Sequence, residues 1–254
     1  MARTERKISR TGIYHILSRG IGQQRIFEQV EDYEKFLDFL YETKKKAGFT
    51  LYAYTLMNNH IHLLLKEGSE SVSQVFRRLG TSYAQWFNIK YERRGHLFQN
   101  RFRSEPVEDD GYFITALIYI YQNPIKAGIC SIAADYEWGS RRFLGKGAGN
   151  VDEKALTEIV SIETIEDKER EAIEELLWDD PQVGRRAAFA DKKVAEIIMM
   201  ICGVRSGPEF QRMPLDEQKS VVAKLREERV PIRQIARVTG VSKGIIEYWC
   251  RVNK

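Results

Sequence analysis

The spacing of apolar residues divides the first half of the chain into alternating strand and helix segments. Gly12 to Ser18 (GIYHILS) reads as a strand, followed by turn chemistry and a basic side chain at Arg19-Gly20-Ile21-Gly22. From Glu31 to Lys46, Tyr33, Phe36, Leu37, Leu40 and Tyr41 recur at three- and four-residue steps, and Ala47-Gly48 ends the predicted helix. Phe49 to Met57 is rich in β-branched and aromatic residues, Asn58-Asn59 supplies a tight turn, and His60 to Leu65 returns as the second strand of a hairpin. Helical spacing resumes from Ser71 to Tyr91, with Gly80 inside it. Phe102 to Val107 reads as a short strand. Tyr112 to Asn123 reads as a helix that stops at Pro124, because a residue before proline is pushed out of the α region. This β-α-β-β-α-β-α order predicts an α+β fold, a ferredoxin-like antiparallel sheet of four strands with both early helices on one face and the other face free.

Beyond this unit, Gly145-Lys-Gly-Ala-Gly149 is the clearest linker composition. It divides the chain into residues 1–145, an acidic helical region 146–212, and a C-terminal region 213–254. In the last, Ile232 to Arg251 places Ala236, Gly240, Val241, Ile246 and Trp249 at the spacings of a helix-turn-helix, with Pro231 at the first helical position and Ser242 capping the second helix. Lys243, Gly244, Glu247, Tyr248 and Arg251 then form the face offered to a major groove. A purely structural helical hairpin is the alternative. The expected architecture is thus an α+β domain followed by an all-α region.

The net charge of +4 is a weak argument for a nucleic-acid partner, but its distribution adds to it. Residues 1–150 carry 22 basic against 16 acidic side chains, 151–212 carry 9 against 15, and 213–254 carry 9 against 5. Two basic regions flank an acidic one, which suits two DNA-contacting modules. In the first of them Arg77, Arg78, Arg93, Arg94, Arg101 and Arg103 interleave with Trp86, Phe87, Tyr91, His96, Phe98 and Phe102, the mixture expected where phosphates are tracked and unpaired bases stack. Arg19 joins these arginines as a candidate DNA contact; Phe76, Phe87 and Trp86 fit a buried helix stripe instead. The three cysteines, Cys130, Cys202 and Cys250, are far apart and imply neither a disulfide framework nor a thiolate zinc site. With no apolar signal region at Met1-Ala-Arg-Thr and no membrane-length apolar run, a cytoplasmic protein is expected.

Candidate chemistry sits at two places. On a strand, side chains at i and i+2 share a face, so His60-Ile61-His62 presents two imidazoles side by side. Such a pair is more often solvated or hydrogen-bonded than ligating, but neutral imidazole is the commonest metal ligand. In Tyr119-Ile-Tyr121-Gln122-Asn123-Pro124 the phenol of Tyr119 and the amide of Asn123 are one helical turn apart, with Gln122 slightly off that face. The bland alternative is core aromatics and a helix stop. A hydroxyl nucleophile together with a cation is what phosphodiester chemistry needs.

Met57-Asn-Asn-His60-Ile-His62-Leu-Leu-Leu followed by Ala116-Leu-Ile-Tyr119-Ile-Tyr-Gln-Asn123-Pro124-Ile-Lys-Ala-Gly128 resembles the REP-associated tyrosine transposases, which are HUH nucleases. The resemblance covers roughly residues 9–145, including Arg19-Gly20, Leu97-Phe-Gln-Asn-Arg-Phe102 and Tyr136-Glu-Trp138-Gly-Ser140. Asn58, where the family usually has proline, and Tyr121, where histidine is common, depart from it. It implies metal-dependent cleavage of single-stranded DNA beside a hairpin, with Tyr119 as the nucleophile left as a 5′-phosphotyrosine. It further implies His60, His62 and Asn123 as ligands of Mg2+ or Mn2+, and the ability to rejoin strands. Hairpin DNA is the implied partner, and duplex DNA the partner of the C-terminal helices; monomer and dimer stay open. Everything assigned to the chemistry lies before residue 124. The rival readings are a hairpin-binding regulator that does not cut, and an RNA-binding domain on the same sheet topology, for which the aromatic RNP signature is missing.

Overall fold

The computed structural model describes residues 6–147, 149–179, 191–228 and 230–252. Strands β1 (Ile13–Arg19), β2 (Thr50–Met57), β3 (His60–Lys66) and β4 (Arg103–Val107) form one antiparallel sheet in the order β2-β3-β1-β4. That is the order the split β-α-β pattern predicts. Helices α1 (Val30–Ala47) and α2 (Val72–Lys90) cross between them. α1 starts in a capping box between Gln29 and Asp32 and ends at Gly48 with φ +62°. α2 starts in a Ser71–Gln74 box and runs unbroken through Gly80. Both helices bury their apolar stripe on one sheet face, with Phe36, Leu40, Val75, Leu79, Tyr83 and Phe87 against Tyr14, Ile16, Leu51, Tyr54, Ile61 and Leu63.

The second sheet face is covered, contrary to the free surface expected of the pattern. Helix α3 (Asp110–Lys126) packs on it through Phe113, Ala116, Leu117 and Ile120, against Ile13, Tyr52, Ala53 and Leu64. A bulge between Leu51 and Ala53 turns Tyr52 and Ala53 toward α3 while Leu51 and Tyr54 face the other layer. The outer edge of β2 is closed by the Tyr136–Ser140 segment: Leu56 N donates to Trp138 O at 3.0 Å and Tyr136 Oη to Leu56 O at 2.7 Å.

A second correction concerns the end of α3, which passes through Pro124 and continues to Lys126. Proline cannot donate to the carbonyl of residue 120, and in the helix interior that loss usually breaks the helix. Here Thr55 of β2 donates its hydroxyl to Ile120 O at 2.9 Å, so the freed carbonyl is satisfied from the sheet. Strand β4 starts at Arg103, one residue after the expected Phe102.

The apolar cluster under α3 does not end at residue 145. Leu156 of α4 (Glu153–Thr157), Val160, and Ile165 of α5 (Ile162–Asp179) complete it, and Asp152 accepts from Leu51 N at 2.7 Å. A separate cluster joins α6 (Asp191–Cys202), α7 (Gly207–Arg212), α8 (Leu215–Glu227), α9 (Ile232–Thr239) and α10 (Lys243–Val252). Helices α9 and α10 meet across Gly240, whose φ of +70° favours glycine, with Ala236, Val241, Ile246 and Trp249 buried between them. No helix among the described residues is long and apolar enough to cross a membrane.

Candidate active site

The β1–β3 register builds the site. His62 pairs with Leu17 and His60 with Arg19, which puts His60, His62, His15 and Arg19 on the face covered by α3. Thr55 of β2 lies opposite His62 and Met57 opposite His60 on the other side. Helix α3, held down by the Thr55–Ile120 bond, then lays Tyr119 over the histidines. Its ring lies edge-on at 5.5 Å from the His62 ring and 5.8 Å from that of His15, between centroids. His60 and His62 are 5.1 Å apart by the same measure. Tyr119 keeps 40% of its surface exposed whereas Tyr121 keeps 2%, so only the first is open to a substrate.

The polar contacts sort the nitrogen atoms. His60 Nδ1 meets Asn59 Oδ1 at 2.6 Å, and since an amide oxygen only accepts, this contact favours the proton on Nδ1. His62 Nδ1 meets His15 Nε2 at 2.9 Å, while His62 Nε2 is buried with no protein partner. Asn123 donates its amide nitrogen to Tyr119 O at 2.7 Å, and its side chain also hydrogen-bonds the His60 ring. The alternative amide, Gln122, is buried at 3% exposure with Nε2 unpartnered.

Burial first, then neighbouring positive charge, lowers the proton affinity of the His60 and His62 imidazoles. His60 falls to about 4 through burial and Arg19, and His62 to about 2 through burial, His60 and His15. His15 falls to about 4, again chiefly by burial. All three are therefore neutral near pH 7, the form that ligates a cation. The orphaned Nε2 of His62, the His60 imidazole and the amide of Asn123 make a mixed nitrogen and oxygen donor set of a kind that suits a divalent ion. Among the described residues no group of three or more His, Cys, Asp or Glu side chains is arranged to hold a metal, so any ion held here would need further ligands such as an amide or substrate oxygens.

The structure brings His60, His62, Tyr119 and Asn123 to one place, and beside them His15, Thr55 and Lys126, which the sequence reading did not single out. Lys126 Nζ stands 5.1 Å from the Tyr119 ring centroid and puts a positive charge beside the nucleophile candidate. His15 was readable in principle, since alternation in GIYHILS sets it on the face opposite Tyr14 and Ile16; its pairing with His62 depends on strand order.

The candidate DNA contacts are scattered more widely. Arg19 is exposed at the end of β1 beside His60, and Arg77, Arg94 and Arg101 are exposed around α2 and the following loop. Arg78 pairs with Glu70 at 2.6 Å, Arg103 with Glu105 at 2.6 Å, and Arg93 with Gln24 at 2.9 Å. Lys243, Tyr248 and Arg251 lie exposed on α10, with Lys243 3.1 Å from Glu247.

Residues 9–123, which contain the whole four-residue constellation, match the family model described as Transposase IS200 like. Over 152 residues the chain is 24% identical to a protein of Haemophilus influenzae assigned to the REP-associated tyrosine transposases; the match spans 55% of this chain and 85% of the relative. It is also similar to the solved structure of a REP-associated tyrosine transposase bound to a REP hairpin, with a TM-score of 0.50 and 18% identity, covering 59% of this chain and 93% of that one. Residues 9–123 are thus similar to the IS200-like transposases, and the chain is similar to the REP-associated tyrosine transposases.

Proposed function

We propose that the chain is a metal-dependent single-strand DNA endonuclease and transposase that cuts beside hairpin DNA with Tyr119. The observation that carries this reading is the convergence of an exposed phenol with two neutral imidazoles, one of them holding a buried and unpartnered Nε2, on a single sheet face. Tyr119 Oη bonds to the phosphorus and gives up its proton as the 3′-oxygen leaves and takes one up; the products are a 5′-phosphotyrosine and a free 3′-hydroxyl. Attack by a 3′-hydroxyl reverses the step, so strands can be rejoined. His60, His62 and Asn123 would hold Mg2+ or Mn2+, which when bound neutralises charge on the transferring phosphoryl group.

The remaining side chains serve this step by position. His15 Nε2 pairs with His62 Nδ1, which leaves His62 Nε2 as the nitrogen open to a ligand. Arg19 and Lys126 flank the site with positive charge and attract the phosphodiester backbone. Arg77, Arg94 and Arg101 extend that surface along the single strand, and Lys243, Tyr248 and Arg251 on α10 form the duplex-binding face of a helix-turn-helix. In this reading residues 213–254 are a DNA-binding module added to the nuclease domain.

The test is incubation of purified full-length protein with single-stranded DNA from the flanks of its own gene, with and without Mg2+. Metal-dependent cleavage and a covalent protein–DNA species are expected. Tight hairpin binding without cleavage at any metal concentration would replace this reading with that of a non-cutting regulator.

A further inference from the structure

We propose that the C-terminal helical bundle is a built part of the catalytic hairpin: a bridge from Asn58 through Asp191 to Arg237 holds the β2–β3 turn and thereby positions His60. The proposal rests on the reading of His60 as a metal ligand.

Asn58 occupies the turn directly before Asn59 and His60, and its Nδ2 donates to Asp191 Oδ2 at 2.9 Å. Asp191, the first residue of α6, is in turn held by α9. Arg237 Nε donates to Oδ2 at 2.7 Å, its Nη2 to Oδ1, and Gln234 Nε2 to Oδ1 at 3.1 Å. The fork of a guanidinium fixes a carboxylate in direction as well as distance. Asp191 keeps only 15% of its side-chain surface exposed, so both its oxygens are committed to this network. Burial alone would push the carboxyl up, but the bonds from Arg237, Asn58 and Gln234 hold it below its ordinary range.

The backbone of the same turn is fixed from a second side. Asn58 O accepts from Ile26 N at 2.7 Å and Phe27 N at 3.1 Å, and Asn59 O accepts from Gly20 N at 2.9 Å. The 20–28 loop that supplies these donors is itself a docking surface for the bundle. Glu28 accepts from the Gly207 backbone, and a side chain at Gly240 would run into Gln211 and approach Gln24. The turn is thus clasped between a loop of the nuclease domain and two helices of the bundle, and its next side chain, Asn59, is the one that orients the His60 ring. Ligand position to within about 0.5 Å depends on such supporting contacts. The bundle and the chemistry are therefore not separable, although every residue assigned to the chemistry precedes residue 124.

Hydrogen exchange by mass spectrometry on metal-free full-length protein, and Mn2+ binding followed by the EPR signal of the free ion, test the bridge together. The chains compared are wild type, Asn58→Ala, Arg237→Ala, Arg237→Lys and His60→Ala. In Asn58→Ala and Arg237→Ala, exchange in the peptides covering residues 20–27 and 57–62 is expected to rise about tenfold, while α2 exchanges as in wild type. Mn2+ affinity is expected to fall about tenfold in both, with Arg237→Lys intermediate because it keeps the charge but loses the fork. Asn58→Ala leaves the contacts within the bundle intact, so its result stands even if Arg237→Ala loosens α9. Wild-type exchange and wild-type Mn2+ affinity in Asn58→Ala and Arg237→Ala would overturn the proposal. Unchanged Mn2+ affinity in His60→Ala would instead overturn the metal reading, leaving exchange to judge the bridge.

Discussion

Thr55 of the edge strand donates its hydroxyl, at 2.9 Å, to the Ile120 carbonyl that Pro124 leaves without a helical donor. Thr55 also lies opposite His62 in the β2–β3 register, so one side chain both flanks a candidate ligand and holds down the helix that carries Tyr119. Thr55→Val keeps the shape and removes the donor from a site with 1% exposure, which strands a buried carbonyl and is expected to cost about 1–3 kcal/mol. Pro124→Ala restores an N–H at the fourth residue after Ile120. In the double variant the loss at Thr55 should therefore be smaller than in the single one, as read from urea unfolding of all four combinations; strictly additive losses would show that the carbonyl is not shared in this way.

The contact between His15 and His62 makes a separate prediction. Removing an outer partner of a ligating histidine typically costs 10- to 100-fold in metal affinity, so His15→Ala is expected to weaken Mn2+ binding by about that factor. Affinity for hairpin DNA in the absence of metal should stay as in wild type. A His15→Ala protein that binds Mn2+ normally would reduce His15 to a packing residue.

The Glu28 carboxyl is buried beside the Gly207 backbone of the bundle, and burial, working against Arg25 and Arg93, pushes it up to about 7. The folded state then binds a proton that the unfolded chain has lost. The contribution of Glu28 to stability is accordingly complete below pH 4.5 and disappears as pH rises through 7, a loss on the order of 1–3 kcal/mol. Glu28→Gln should flatten the stability profile between pH 4.5 and 8, measured by urea midpoints across that range. A Glu28→Gln profile as steep as that of wild type would assign the pH dependence elsewhere.

Much of this site was legible in the sequence, and the gaps have physical causes. Alternation along Met57 to Leu65 was enough to put His60 and His62 on one face, and helical spacing enough to align Tyr119 with Asn123. Strand order and the two helices between the strands followed from the order of periods. His15 was missed because its value comes from a diagonal contact across a strand pair, which no local window contains. The covering of the second sheet face was missed because periodicity shows a helix's apolar positions but not the layer they pack on, and the end of α3 was missed because a tertiary donor, Thr55, overrides the local proline rule. The apolar positions Leu156, Val160 and Ile165 lie in an acidic stretch, and composition drew attention away from their fit under α3.

The exposed face of α10 predicts a salt signature. Lys243→Ala with Arg251→Ala should lower the slope of log affinity against log salt for hairpin-bearing duplex by about 0.9 for each phosphate that is no longer neutralised. Cleavage of a short single strand that cannot reach α10 should continue. An unchanged slope would leave α9 and α10 as a structural hairpin.

If Tyr119 forms the covalent bond to DNA, mass spectrometry of the trapped protein–DNA adduct shows it most directly. Wild-type protein incubated with its single-stranded substrate and Mn2+ is expected to yield one modified peptide, carrying a 5′-linked nucleotide on Tyr119. Tyr119→Phe should bind the hairpin normally and yield no adduct, since it loses only the attacking oxygen, while Tyr121→Phe should react like wild type. An adduct on any other residue, or one that survives in Tyr119→Phe, contradicts the assignment of Tyr119 as the nucleophile.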